Sequence, residues 1–452
     1  MKSKKILILV DNKIRDLAGL VYLKVLLNER YHYDVLLANI EFAGVITVYR
    51  PHLMLMPQSR VMTVKSSLVR RARLIGSYTA VLPTEGIVAN EETGALLTGK
   101  YGDPDNTPDI NFLWGNGMRD ILSKHKGALL ERTFVCGNPR FDFYAPPLLS
   151  LLPSKAELCR RYGMNDRHKI VFWATSYPYA NRDKADALND LRNGNLDKAI
   201  DIDAFLEYTN LSQRLAIEAV FKLADRHKDV DFIIKPHPFE RIRPRNIYLD
   251  YRDKVNLQNI FLAEDEPAGN LLNISDILLH SGSTTSVEAW LLGKPTVSLE
   301  MVKPEHRTYN ELLHGGDEVS SAEELAKAVS HYLNGGKVPE AMLQARKKFI
   351  DRWFYSADGK SAERCASALN DFLEKRPNQP RFIPSLVVRY YLNGVYNYFM
   401  NLLLTLDTEL RGGEEKRRKY FMDRELRRKR TFSRKEATEL ERSVRKALGN
   451  AL

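Results

Sequence analysis

The sequence predicts an α/β protein: two doubly wound domains, each a parallel sheet with covering helices, followed by a helical extension. Three observations carry that prediction. Over the first 375 residues, short apolar runs alternate with longer helix-patterned segments, as strand–helix–strand units require. A stretch with three prolines, APPLLSLLPS at 145–154, divides the alternation in two. Near Arg376 the composition shifts, and from there to Leu452 eighteen Lys and Arg stand against nine Asp and Glu. The boundaries expected are 1–150, 151–375 and 376–452. A chain of 452 residues is long enough for each domain to bury its own core.

The elements follow in order. ILILV (6–10), DVLLA (34–38), LMLM (53–56) and TAVLP (79–83) read as buried strands, with an amphipathic helix over 16–30 between the first two. FVCGNP (134–139) reads as a further strand ending in a turn, and 145–154 as a linker. In the second domain KIVFWAT (169–175), DFIIKPHP (231–238), IFLAE (260–264), DILLHSG (276–282) and TVSLE (296–300) read as strands. Helices are expected over 204–227, 322–333 and 339–353. The polar segment 181–201 reads as an insertion or loop. In the extension, 383–406 is apolar and aromatic but interrupted by Arg389, Asn393, Gly394, Asn397 and Asn401. That is too polar for a comfortable membrane span. A strongly basic helix is expected over 414–448.

Composition narrows the function classes. The chain is 44% apolar and 28% charged, as in soluble globular proteins. Cys136, Cys159 and Cys365 form neither a metal-ligand spacing nor a disulfide framework, which points to a reducing compartment. The apolar run at 6–10 is too short for a signal peptide. Of the net charge of +11, about +9 falls after residue 375 and about +2 before it. The charge therefore belongs to the extension, which lacks a nucleic-acid reading motif, and no nucleic acid is expected as partner.

Two motifs carry chemistry. In HSGSTTSVEAWLLGKPTVSLE (280–300) a strand runs into a hydroxyl-rich turn at which a helix begins. Backbone N–H groups at a helix start, with the hydroxyls of Ser281, Ser283, Thr284, Thr285 and Ser286 around Gly282, suit a phosphate or diphosphate. Glu288 follows where a carboxylate can accept from ribose hydroxyls. Ser and Thr also serve as ordinary helix caps, but five within six positions exceed what capping needs. The second motif is KPHP, at the end of a strand, where ligands of open α/β sheets bind. Lys235 and His237 can balance phosphate charge, His237 can assist a leaving group, and Pro238 stiffens the turn.

By these two motifs, residues 231–300 resemble the C-terminal half of GT-B glycosyltransferases that use cytidine nucleotides. Those are the bacterial sialyltransferases, the Kdo transferases of capsule and O-antigen synthesis and, more distantly, the CDP-glycerol polymerases of teichoic acid synthesis. His237–Pro238 matches their HP pair, and 281–286 their serine motif. The first two groups carry two acidic residues and a Gly after an N-terminal strand; here the sequence is Thr84–Glu85–Gly86, so the first acidic position differs. GNPRFD (137–142) resembles the turn before their interdomain linker. The resemblance implies a GT-B fold, two Rossmann-like domains facing across a cleft, with the nucleotide on the second. It implies Glu85 as general base and Asp142 as a candidate nucleophile of the kind found in retaining β-Kdo transferases. Asp11, Asn12, Gly86, Arg140 and Ser176 become candidates for contact with acceptor or donor sugar. No metal site is evident and no cofactor is expected, because dipoles and basic groups can stabilise a departing phosphate.

The function expected is transfer of Kdo or a related ulosonic acid from a CMP donor to a surface polysaccharide or lipid-linked acceptor. A CDP-glycerol or ribitol phosphotransferase, a UDP-sugar transferase or epimerase, and a basic-tailed nucleic-acid-binding protein are the alternatives. The setting expected is the cytoplasm at the inner face of the bacterial membrane, with residues 383–446 giving peripheral attachment to anionic lipid.

Overall fold

The structure, a computed structural model, describes residues 3–58, 68–87, 107–123, 130–193, 201–241, 247–303 and 310–411, with 413, 424, 427–428 and 430–449 of the extension. The chain divides into two compact units, Met1–Leu151 together with Ile350–Leu452, and Leu152–Phe349. These units differ from the expected bounds: the second ends at Phe349, where the sequence pattern placed a domain end at 375, and 376–452 falls within the first.

In the first unit, β1 (Lys5–Val10), β2 (Asp34–Asn39), β3 (Leu53–Met56), β4 (Tyr78–Val81), β5 (Ile110–Leu113) and β6 (Thr133–Val135) form one sheet, ordered β2-β1-β3-β4-β5-β6. Every pairing is parallel. The run ILILV forms the buried strand β1 because its side chains feed two cores at period two. Ile6, Ile8 and Val10 enter one, and Leu7 and Leu9 the other. The helix Lys13–Tyr31 begins where Asn12 accepts from the Ile14 N–H at 3.0 Å, and ends at His32 in the left-handed conformation. It covers the first core with the helix Ser361–Lys375, which contributes Ala362, Cys365, Leu369 and Phe372, and the helix Arg434–Leu448, which contributes Val444 and Leu448. Truncating Leu369, fully buried here, to Ala costs about 2–5 kcal/mol. The sulfurs of the buried thiols Cys136 and Cys365, far apart in sequence, lie 3.0 Å from each other.

In the second unit, β7 (Lys169–Ala174), β8 (Val230–Lys235), β9 (Ile260–Leu262), β10 (Ile277–His280), β11 (Thr296–Leu299) and β12 (Asp317–Val319) form a second parallel sheet, ordered β12-β11-β10-β7-β8-β9. Ile277 and Leu279 of β10 enter one core and Leu278 the other. The helix Ile202–Arg226, capped by Asp201, and the helix Ala322–Leu333, capped by Ser321, cover the larger core.

The sequence reading missed β5, β12 and the helix Ser361–Lys375. Part of the polar segment 181–201 is the helix Lys184–Asn193, and 194–200 lies outside the described residues. Within the basic stretch 414–448 the helix Arg434–Leu448 is described, while 414–423 lies outside the described residues.

Candidate functional site

The strand order fixes where each sheet can hold a ligand. In the second sheet the chain runs outward in opposite directions from the β7/β10 pair, and in the first from the β1/β3 pair. At such switch points the loops leaving the strand ends diverge and open a crevice.

At the β7/β10 switch point four segments meet. Thr175, Ser176 and Tyr177 follow β7; Pro236, His237 and Pro238 follow β8; Ser281 to Ser286 follow β10; Glu300 follows β11. A residue absent from the sequence reading, Glu240, ties them. Its carboxylate is buried. One oxygen accepts from the Thr175 hydroxyl at 2.8 Å and the Tyr177 N–H at 2.7 Å, the other from the Tyr248 hydroxyl at 2.6 Å. Burial pushes its pKa up, and the hydrogen bonds pull it back. The Thr175 hydroxyl in turn accepts from the His237 N–H at 3.2 Å, and the Tyr177 hydroxyl pairs with that of Ser281 at 2.8 Å. Burial pushes the Tyr177 phenol up, so it is a neutral hydrogen-bonding group at pH 7. The loops after β7, β8 and β10 are thus one hydrogen-bonded unit.

The hydroxyl turn has two kinds of member. Ser286 is fully buried and donates to the Ser283 carbonyl at 2.8 Å, an internal use. Ser283 donates to the Thr285 hydroxyl at 3.0 Å and accepts from the Thr285 N–H at 3.3 Å. Ser281, Thr284 and Thr285 are partly exposed. Gly282 has φ of 59°, and a Cβ there would meet nothing within 4 Å, so the turn is open at its centre. The helix after it, Thr285–Leu291, has seven residues, which weakens the expected dipole contribution. Beneath the turn, burial lowers the His280 pKa to about 4. That imidazole is neutral, with Nδ1 accepting from the Ser283 N–H at 3.4 Å. Lys235 donates to the Glu264 carbonyl at 2.9 Å, toward β9. Glu288 lies partly exposed on the short helix.

The first unit's switch point is a charged cluster. The Arg15 guanidinium bonds Glu85 and lies 3.4 Å from Asp16 and 3.8 Å from Asp11. These carboxylates raise its pKa against the opposing effect of burial. Glu85, the candidate general base, is exposed. The buried carboxylate is Asp16, raised to about 6 by burial. With Asp11, Thr84 and Asn138 it lines a cavity of about 20 Å³. The side chain of Asn12 is committed to its cap. Gly86 is required by packing, because a Cβ there would lie 2.0 Å from the Trp114 ring. Arg140 stacks on Trp114 at 5.1 Å and on Phe141 at 4.5 Å.

Asp142 is buried, and its two oxygens accept from the Ser361 and Ala362 N–H groups at 2.9 and 2.8 Å. It thereby caps the helix Ser361–Lys375 from a distant part of the chain, a positioning task that occupies both oxygens. Burial raises its pKa to about 6 despite those bonds. Among the described residues no group of three or more His, Cys, Asp and Glu is placed to hold a metal.

No family model and no curated protein matches the chain. Solved structures do. It is similar to the S. aureus MnaA–UDP co-structure, with 14% identity over 84% of this chain and all of that one, at a TM-score of 0.51. It is similar to UDP-GlcNAc 2-epimerase from Neisseria meningitidis bound to UDP-GlcNAc, with 13% identity over 81% of this chain and all of that one, at 0.51. A variant of the wall teichoic acid polymerase TagF with CDPG matches at 12% identity over 82% of this chain and 89% of that one, at 0.50. At these identities the likeness speaks for architecture, and with the two parallel six-stranded sheets it shows that the chain has the GT-B fold.

Proposed function

We propose that the chain is a nucleotide-sugar-dependent, metal-independent glycosyltransferase of surface-carbohydrate synthesis, with the donor nucleotide held at the β7/β10 switch point. The observation that carries this reading is the Glu240 network. It joins the loop bearing His237, the loop bearing Tyr177 and the turn beginning at Ser281 into one preorganised surface. Preorganised donors aimed at developing charge are what a departing phosphate needs. Hydroxyls of the 281–285 turn receive the phosphate, and His237 balances its charge as the sugar–oxygen bond breaks. Glu85 accepts the proton of the acceptor hydroxyl that forms the new bond. Its exposure keeps it in reach of solvent-borne acceptors, and its pairing with Arg15 holds the carboxylate in place.

The finer reading is a CMP-linked donor, Kdo or a related ulosonic acid, and a polysaccharide or lipid-linked acceptor at the inner face of the bacterial membrane. The motifs at 235–238 and 281–286 support it. A CDP-glycerol or ribitol-type phosphotransferase is the second reading, favoured by the likeness to TagF with CDPG. A UDP-sugar enzyme is the third, favoured by the likeness to the UDP-GlcNAc 2-epimerase. Calorimetry with CMP, CDP and UDP on the wild type and His237→Ala separates them. The expected result is strongest binding of a cytidine nucleotide and a loss of about tenfold in the variant, the scale of one charge-assisted hydrogen bond. Preference for UDP moves the chain to the third reading. Equal affinity in both proteins removes His237 from the site.

A further inference from the structure

The helix Pro384–Arg411 is attached to the first unit by one face of its beginning. Ile383 and Leu386 pack on the core that holds Leu7, Leu9 and Met54, and the Tyr390 ring closes on Gly44. At 100° per residue those three positions share one side of the helix. Val388, Tyr391, Leu392, Val395, Tyr396, Phe399 and Leu403 fall on the opposite side, within a stripe about 140° wide. All seven are more than half exposed, from 55% to 63%. A surface helix ordinarily turns its apolar stripe to the core; this one turns it to solvent. An exposed apolar patch of that extent marks an interaction site.

Charge selects the occupant. Arg381 and Arg389 are exposed beside the stripe. The segment that follows, 411–430, carries ten Lys and Arg against four Asp and Glu. Arg424, Arg427, Arg428 and Arg430 of it are exposed. The helix Arg434–Leu448 is spent elsewhere. Glu436 pairs with Lys13 at 2.8 Å and Glu441 with Lys24 at 2.7 Å, Arg445 bonds Glu29, and Val444 and Leu448 are buried. Aromatic and aliphatic residues along one face with basic residues alongside are what an anionic bilayer interface takes up. A second copy would cover the stripe but bring two like-charged segments together. Among the described residues no helix is long and apolar enough to cross a membrane, which leaves a helix lying in the interface plane.

We propose that this exposed face of Pro384–Arg411 docks on an anionic phospholipid surface, and that Arg434–Leu448 serves as a clamp on the body and not as a lipid contact. The proposal deepens the membrane setting proposed above and does not depend on the donor. Flotation of the full chain tests it, with vesicles of phosphatidylcholine alone and of phosphatidylcholine mixed equally with phosphatidylglycerol. The wild type should float with the mixed vesicles, less with the neutral ones, and less at high salt. The triple variant Leu392→Asp, Tyr396→Asp, Phe399→Asp should lose about tenfold or more of its partition. Its thermal melt and nucleotide affinity should stay at wild-type values, since all three side chains are exposed and none belongs to the donor site. Wild type that stays down with mixed vesicles at low salt overturns the proposal. So does a variant that floats as well as wild type. A wild-type dimer that the variant dissolves, without flotation, assigns the stripe to a second copy and overturns it too.

Discussion

The two switch points of this molecule solve the same placement problem with opposite electrostatics. In the second unit, the groups at the strand ends are linked by hydrogen bonds from neutral donors around a single sequestered carboxylate. Glu240 accepts from Thr175, Tyr177 and Tyr248, and Ser281 joins through the Tyr177 hydroxyl. In the first unit, the cluster is ionic, with Arg15 among Asp11, Asp16 and Glu85 and with Glu85 open to water. The first arrangement suits a group that must receive a fixed phosphate, because its donors pay no reorganisation at the moment of reaction. The second suits proton exchange with a variable acceptor, because solvent-exposed ion pairs are worth little and rearrange easily.

The contrast has a pH signature. Asp16 and Asp142 have folded pKa values of about 6, above the ordinary 3.8 of an aspartate. A carboxyl raised on folding is favoured in its protonated form, so the stability it gives is lost as pH rises from about 4 to about 6. His280, at about 4 against 6.5, is favoured neutral. The stability it gives is absent below about pH 4 and grows as pH rises toward 6.5. Each shift corresponds to at most about 3 kcal/mol. Opening free energies from hydrogen exchange, corrected for intrinsic rates, should therefore fall with pH for β1 amides, and Asp16→Asn should flatten that slope. At β10 the rise due to His280 is set against a fall due to the raised Glu240 carboxyl, so it is read as the difference between wild type and His280→Gln. A His280→Gln slope equal to the wild-type slope would break the comparison.

A catalytic test comes next in size. Glu85→Gln should lower turnover by roughly 100-fold, the scale of general acid–base work, with nucleotide affinity unchanged. Asp142→Asn, run beside it, should lower the unfolding midpoint in urea and leave turnover per folded molecule near wild type. A folded but inactive Asp142→Asn would return that residue to the chemistry. The smallest effect sharpens the other side. Tyr177→Phe removes one hydroxyl from the network and should weaken nucleotide binding about fivefold, near 1 kcal/mol, without changing the fold. No change would detach Ser281 from the donor site.

The sequence made the second unit more legible than the first. The strand runs at 169–175 and 231–238 and the turn at 281–286 announce themselves by apolar continuity and by five hydroxyl residues in six positions. Glu240 was hidden because nothing in its spacing says that the turn Pro238–Arg241 folds its carboxylate under Thr175. A Glu among apolar and proline residues in KPHPFE was the only signal. In the first unit, β5 was missed because INFL is four residues long with a buried Asn111. The capping task of Asp142 was not legible because its partners, Ser361 and Ala362, lie more than two hundred positions away. Glu85 was placed at the right strand end, but its pairing with Arg15, a helix residue 70 positions away in the sequence, leaves no trace in periodicity.

The cap from Asp142 to Ser361 has a consequence for synthesis on the ribosome. The second unit is continuous, from Leu152 to Phe349, and has all its strands once that stretch has emerged. The first unit is not. Its sheet is translated first, yet one side of that sheet is covered only by the helix Lys13–Tyr31 until the helices Ser361–Lys375 and Arg434–Leu448 appear. For the time needed to make some two hundred residues, at about 5–20 residues per second, Asp142 has no helix to cap. During that interval, about 10–40 s, the core around Ile6, Ile8 and Val10 has the helix Lys13–Tyr31 but not the two C-terminal helices that complete it.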